Sequence, residues 1–360
     1  MPLTNKTNDN YTTRQLKLPL EIEKLIDISD PVYTFCEVMD HIDLSKYFVE
    51  KGYKTGRPRC DEQKLLKVIL FAFMENGICS LREIEKFCRT DIRYMYLLDE
   101  MKAPTFATFG NLIRNELTVS IEQIFTDINT YIFAKDHVDL QHTYIDGTKI
   151  EANANRYTWV WKKSCIKNRQ KVFDKISVLI DAMNQEVLGY LGIKLEKREE
   201  YAIDYVSELL AMYKEGTGLD ENSFVSGCGH RKSIQQKQYQ ELQGYLKRLK
   251  TYARHIEICG NERNSYSKTD QDATFMRLKR DYMGNDQLLP AYNLQAAICD
   301  EYIAVIDVKP YASDMECFVP LMEKFNRTYG HYPKYPVADA GYGSYNNYLY
   351  CEEHGMEKYM

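Results

Sequence analysis

The sequence predicts an α+β protein: a helical N-terminal part, then a strand-and-helix part divided by a large α-helical insertion. Three observations carry this. Short apolar-periodic segments separated by capping residues fill residues 51–135. An alternating run rich in β-branched and aromatic residues opens at Gln141. Helical periodicity then returns from Trp161 to Cys259 before strand signals resume at Ala291.

In chain order, residues 1–50 form an acidic lead with a short extended piece at Leu16–Leu20. Residues 51–135 read as a compact helical unit with helices at Glu62–Asn76, Ser80–Arg89, Asp91–Glu100, Phe106–Leu117 and Ile121–Lys135. Ser80-Leu-Arg-Glu83 is a capping box, Asp61 and Ser120 stand as N-caps, and Gly77 and Gly110 punctuate. Helix-turn-helix DNA binders use such short helices, and so does any small helical bundle. The first strand lies within residues 136–160, at Gln141–Ile150. The insertion, residues 161–260, holds helices Trp161–Asn184, Leu195–Tyr213 and Ser233–Ile258. In residues 261–360 come strands Ala291–Cys299 and Tyr302–Lys309, helix Met315–Tyr329, strand Tyr335–Asp339 and helix Tyr345–His354. With the insertion removed, the order is strand, strand, strand, helix, strand, helix. That is the opening of an RNase H-like fold interrupted after its first strand, and loop-closure entropy grows slowly enough to tolerate the interruption.

The 360 residues are 44% hydrophobic and 28% charged, a globular composition with length for roughly two or three domains. Forty-seven Lys and Arg against 52 Asp and Glu give a net charge of −5, which excludes a chain basic throughout but leaves room for a local basic patch. No apolar run is long enough to span a bilayer, and the start, MPLTNKTNDNYTTRQ, has no signal-peptide core, so a cytoplasmic protein without membrane partners is expected. The ten cysteines form no C-x-x-C pair and read as reduced thiols; Cys228-Gly-His230 is the nearest approach to a metal pair.

Two aspartates close predicted core strands: Asp146 in Tyr144-Ile-Asp-Gly-Thr-Lys149, and Asp339 before Ala-Gly-Tyr-Gly-Ser344. Carboxylates clustered at neighbouring strand ends suit hard divalent cations, and paired ions stabilise the attacking and leaving oxygens in phosphoryl transfer. Each also has a structural reading, since Asp-Gly is a hairpin signal and Asp339 precedes a glycine-rich turn. Residues 156–175 hold seven basic side chains (among them Lys162, Lys163, Lys167 and Arg169) against one acid, beside Trp159 and Trp161. That mixture suits phosphate contact and base stacking, or a solvated helix face docked by its tryptophans. Gly56-Arg-Pro-Arg59 reads as an arm reaching a groove through Arg57 and Arg59, or as a charged linker. Phe106–Leu117, with Asn111, Arg114 and Asn115, is the expected groove-reading helix.

Thr143-Tyr-Ile-Asp-Gly-Thr-Lys-Ile-Glu-Ala-Asn-Ala-Asn-Arg-Tyr157 resembles the first catalytic-aspartate motif of bacterial insertion-sequence transposases of the DDE class, and Ala338-Asp-Ala-Gly-Tyr-Gly-Ser344 resembles their second. Ser267–Thr274 and Tyr292-Asn-Leu-Gln295 resemble the stretch before the second strand. Gly56-Arg-Pro-Arg59, Leu65–Val68, Ser80–Glu85 and Asp91–Met95 together resemble their InsH-type N-terminal domain. The resemblance implies a DNA-binding helical domain followed by an RNase H-like catalytic domain, with Asp146 and Asp339 as catalytic metal ligands for Mg²⁺ or Mn²⁺. It implies double-stranded element ends and target DNA as partners, a homo-oligomer on DNA, and a place at the nucleoid. Phe106-Ala-Thr-Phe109 departs from the family's more polar stretch. The triad's third member, a glutamate, has no matching position. Glu352 and Glu353 read as surface groups, and Glu151 falls on the opposite strand face from Asp146. The expectation is therefore a truncated domain, inactive alone. The alternatives are a non-catalytic repressor that binds DNA, or a decayed fragment.

Overall fold

The structure is a computed structural model that describes residues 25–48, 60–99, 101–226, 231–278, 284 and 287–360. The chain divides into two units, Met1–Val138 and Asp139–Met360.

In the first unit, helices α1 (Pro31–Asp40), α2 (Glu62–Asn76), α3 (Leu81–Thr90), α4 (Ile92–Leu98), α5 (Phe106–Leu112) and α6 (Thr118–Asp136) share one core. Val32, Met39, Leu66, Phe71, Ile84, Tyr94 and Phe109 are among its buried members. Residues 31–40, read from sequence as part of an acidic lead, thus contribute a helix and two core side chains. The Asp61 carboxylate accepts from the Gln63 and Lys64 amides, and the Ser80–Glu83 capping box is complete in both directions. Arg93 joins α4 to α2, bonding Asp91 at 2.8 Å and Glu75 at 2.5 Å.

Two sequence expectations are corrected here. Ser120 is no N-cap: the helical backbone runs on from α5 through a π turn (Ile113–Leu117) into α6, and the Ser120 hydroxyl donates back to the Glu116 carbonyl at 3.0 Å. Gly110 does not punctuate; it lies inside α5, where a Cβ would stand 3.3 Å from Leu81 Cδ1, so its smallness lets α5 approach α3.

The second unit runs β1 (His142–Glu151), β2 (Trp159–Trp161), α7 (Lys162–Glu186), α8 (Ile203–Thr217), α9 (Ile234–Cys259), β3 (Ser265–Ser267), β4 (Thr274–Arg277), β5 (Leu288–Cys299), β6 (Tyr302–Lys309), α10 (Phe318–Tyr329), β7 (Tyr335–Ala338) and α11 (Tyr345–Glu353). Strand β5 pairs antiparallel with β1 on one edge and with β4 and β6 on the other. Strand β1 pairs parallel with β7, whose far edge takes a parallel bridge from Tyr359 at Val337. Helix α10 packs on β5 and β6 through buried Phe318, Leu321, Met322 and Phe325.

The insertion is a three-helix unit with its own core, including Ile176, Ile180, Met183, Leu209, Tyr213 and Leu242. It leaves and rejoins the domain at a two-stranded ribbon, β2 against β3, over a small cluster of Val160, Cys165, Cys259 and Tyr266. Helix α8 begins at Ile203, not at the expected Leu195. The Asn184 side chain holds both backbone groups of Leu195 (Leu195 N–H to Oδ1 at 2.8 Å, Nδ2 to Leu195 C=O at 2.9 Å), which stabilises an extended connector. Helix α10 likewise starts later than Met315, after a 3₁₀ turn at Asp314–Glu316.

His255 of α9 shares a 2.6 Å hydrogen bond with the Tyr266 hydroxyl. Burial, then the charges of Lys268 and Arg254, hold its imidazole below the usual 6.5. The folded state therefore favours the neutral ring, and stability from this contact is full above pH 6.5 and lost as pH falls below it. We expect the urea midpoint to drop on acidification from about pH 7 to 5, and His255→Gln to flatten that drop.

Candidate active site

Strand β1 passes straight through Asp146 and Gly147 to Glu151, so the Asp-Gly pair makes no hairpin. Thr143 and Ile145 are buried while Tyr144 and Asp146 are exposed, which places the Asp146 carboxylate on the open face of the strand. Strand β7 lies beside β1 with Tyr144 opposite Val337 and Ile145 opposite Ala338. The next position after each is an aspartate, so the parallel register brings Asp146, which lies within β1 and does not close it as expected, beside Asp339 at the end of β7. Asp339 Oδ1 accepts the Gly341 N–H at 2.9 Å and caps the 3₁₀ turn Ala340–Tyr342. Asp146 Oδ1 accepts the Gly147 N–H at 2.8 Å. Both carboxylates are exposed and keep free oxygen lone pairs, the donor type that a hard cation prefers. Among the described residues no group of three His, Cys, Asp or Glu is placed to hold a metal ion, so these two aspartates are a pair and not a closed cage.

Beneath Gly147, on the buried side of the sheet, lies a polar network that the sequence reading missed. The Tyr342 hydroxyl, in a side chain 1% exposed, donates to Gln295 Oε1 on β5. Gln295 Nε2 donates to Asn293 Oδ1 at 2.9 Å and to Asp314 Oδ1 at 3.3 Å, and Asn293 Nδ2 reaches Asp314 Oδ1 at 2.7 Å. Buried Asn347 of α11 donates to the carbonyls of Tyr342 at 2.8 Å and Met315 at 3.0 Å, tying the two 3₁₀ turns together. Burial, then the carboxylates of Asp314, Asp146 and Asp339, raise the phenol pKa of Tyr342 well above its ordinary value and keep it a donor. One signal was legible: Asn293 and Gln295 occupy alternate positions of a strand whose neighbours on that face are apolar, and buried amides need partners.

Glu151 is exposed at the far end of β1. Glu352 pairs with Lys358 and Glu353 is exposed, as expected of surface groups. Of the basic and amide residues expected at DNA, Arg57 and Arg59 lie outside the described residues, as does Cys228-Gly-His230. Asn111, Arg114 and Asn115 are exposed at helical neighbour spacing across the junction of α5 and the π turn. On α7, Lys163 and Lys167 are exposed and the Arg169 guanidinium lies 5.9 Å from the Phe173 ring. Lys162 Nζ bonds the Gly260 carbonyl at 2.5 Å, so it caps the end of α9. Trp159 and Trp161 both pack on Phe275, with ring centroids 6.3 and 6.4 Å away.

Residues 20–115 match a family model described as a transposase domain (DUF772), and residues 263–360 match a transposase DDE domain. The latter implies divalent-metal dependence. No curated protein and no solved structure matches the chain. No helix among the described residues is long and apolar enough to cross a membrane.

A Cβ at Gly147 would stand 2.6 Å from Gln295 Nε2 and 2.9 Å from the Tyr342 hydroxyl oxygen. Gly147→Ala is expected to cost about 1–3 kcal/mol in chemical denaturation, as overpacking does. Gly244→Ala on α9, where nothing lies within 4 Å, should instead gain about 0.5–1 kcal/mol.

Proposed function

Since the chain belongs to the insertion-sequence DDE transposases, we propose that it binds the DNA ends of its element for metal-dependent strand cleavage and transfer, with Asp146 and Asp339 as metal ligands, and that this chain alone is inactive because it lacks the third acid. The observation that supports this best is the β1–β7 register, which sets the two aspartates side by side. Bound Mg²⁺ or Mn²⁺ would supply Lewis-acid stabilisation of the attacking and leaving oxygens. The chain's own contribution is to hold two carboxylates, exposed to an incoming phosphodiester, on one face of a sheet. The strand order β6-β5-β1-β7, antiparallel twice and then parallel, supports an RNase H-like assignment for the second unit. The triad's third acid is assigned to no residue of this chain.

The first unit is the DNA-binding domain in this reading. Asn111, Arg114 and Asn115 face the groove, and Arg57 and Arg59 follow the backbone. Lys163, Lys167 and Arg169 of the insertion add phosphate contacts, with Lys162 chiefly a helix cap. Assembly as a homo-oligomer on paired ends completes the proposal.

The test uses duplexes carrying the element's own ends, with Mg²⁺ or Mn²⁺. The wild-type chain should bind these ends without robust strand cleavage, and any cleavage found should fall about 10²–10³-fold in Asp146→Asn and in Asp339→Asn while gel-shift affinity is unchanged. Undiminished cleavage by either variant would sink the assignment. Arg114→Ala should weaken binding and reduce the salt slope by about 1. Salt-dependent end binding by the wild-type chain with no cleavage would favour the repressor reading.

A further inference from the structure

The Tyr342 side chain starts from the turn that Asp339 caps, passes beneath β1 at Gly147 and ends on Gln295 of β5. It therefore ties the β7 turn to β5 across the strand that carries Asp146. Glycine at 147 makes the passage open, because any Cβ there would fall within 3 Å of both Gln295 and Tyr342. The far end of the tie is anchored as well. Gln295 is wholly buried and its amide is oriented by Asn293 and Asp314, so Oε1 has to face the tyrosine. Asn347 holds the Tyr342 carbonyl, and the ring packs edge-on to Phe318 at 6.5 Å.

We propose that the Tyr342–Gln295–Asp314 network is a positioning unit that fixes Asp339 relative to Asp146, and with it the spacing offered to a divalent cation. The parallel β1–β7 pairing is four residue pairs long and ends at Ile145 and Ala338. Asp146 stays paired to Ala296 of β5, but Asp339 lies one step beyond the last β1–β7 pair, where backbone pairing no longer fixes its position against β1. The tie supplies the missing restraint from the opposite face of the sheet. None of its side chains touches the cation or the DNA; each acts through the turn that presents Asp339. This rests on the reading of Asp146 and Asp339 as metal ligands.

The test is Tyr342→Phe in the full chain, which keeps the buried ring and removes only the hydroxyl. Mn²⁺ binding, followed by electron paramagnetic resonance well below the melting temperature, should weaken about fivefold, the size of one lost hydrogen bond. Hydrogen exchange at Gly341, Tyr342 and Gly343 should rise about as much. Gln295→Leu should do the same. Leu242→Ala, in the separate core of the insertion, should lower the melting temperature without moving either readout, which separates positioning from plain stability. Unchanged exchange and unchanged Mn²⁺ affinity in Tyr342→Phe would overturn the inference. If wild-type binding is absent or indifferent to Asp146→Asn, the metal reading fails, and the role toward a cation fails with it. The exchange arm then still decides whether the tie restrains the turn.

Discussion

The parallel pairing of β1 with β7 is the constraint on which the second unit depends. Parallel neighbours cannot be joined by a tight turn and need a crossover. Here everything between Glu151 and Tyr335 serves as that connection: the insertion, the antiparallel strands and α10. The crossover brings together two carboxylates from distant parts of the chain. Like charges so placed repel, and the repulsion is tolerable because both groups face water, where the dielectric screens it. The same exposure leaves both carboxylates open to solvent-borne ligands. An equivalent pair on the α10 side would have needed permanent partners, as the buried amides there do.

Much of this was legible in the sequence, and the reasons are specific. Strand β6 has its expected bounds at Tyr302–Lys309, and helix α2 matches at both ends because Asp61 and Gly77 are true caps. Asp339 could be singled out because it directly follows an apolar strand, and Asp146 because it follows an apolar stretch of β1, although that strand runs on to Glu151. Their adjacency rests on strand order, which periodicity does not carry; the resemblance to a known family supplied it. Where reading from periodicity failed, long-range side chains had decided the backbone. Asn184 captures Leu195 and delays α8, while a π turn with no composition signature runs α5 into α6. The network under Gly147 escaped for the same reason. Its members come from β5, the turn after β6, the turn after β7 and α11, so no local window contains it.

Charge is divided in a way the net value hides. The exposed lysines of α7 project from the insertion, while Asp146, Asp314 and Asp339 gather around the sheet end. A polyanion would meet favourable potential at the former and cation-dependent potential at the latter. In the first unit, by contrast, ionic groups are spent largely on the fold. Arg93 bridges Glu75 and Asp91, and Lys64 reaches Asp99.

The β2–β3 ribbon pairs the two legs of the insertion with each other over three positions, Trp159–Trp161 against Ser265–Ser267, and both tryptophans pack on Phe275 of β4. Eight pairs hold β1 to β5. The insertion is thus closed at its base and carries its own helical core, so a change in the length of its helices leaves untouched the residues that pair β1 with β5 and β7.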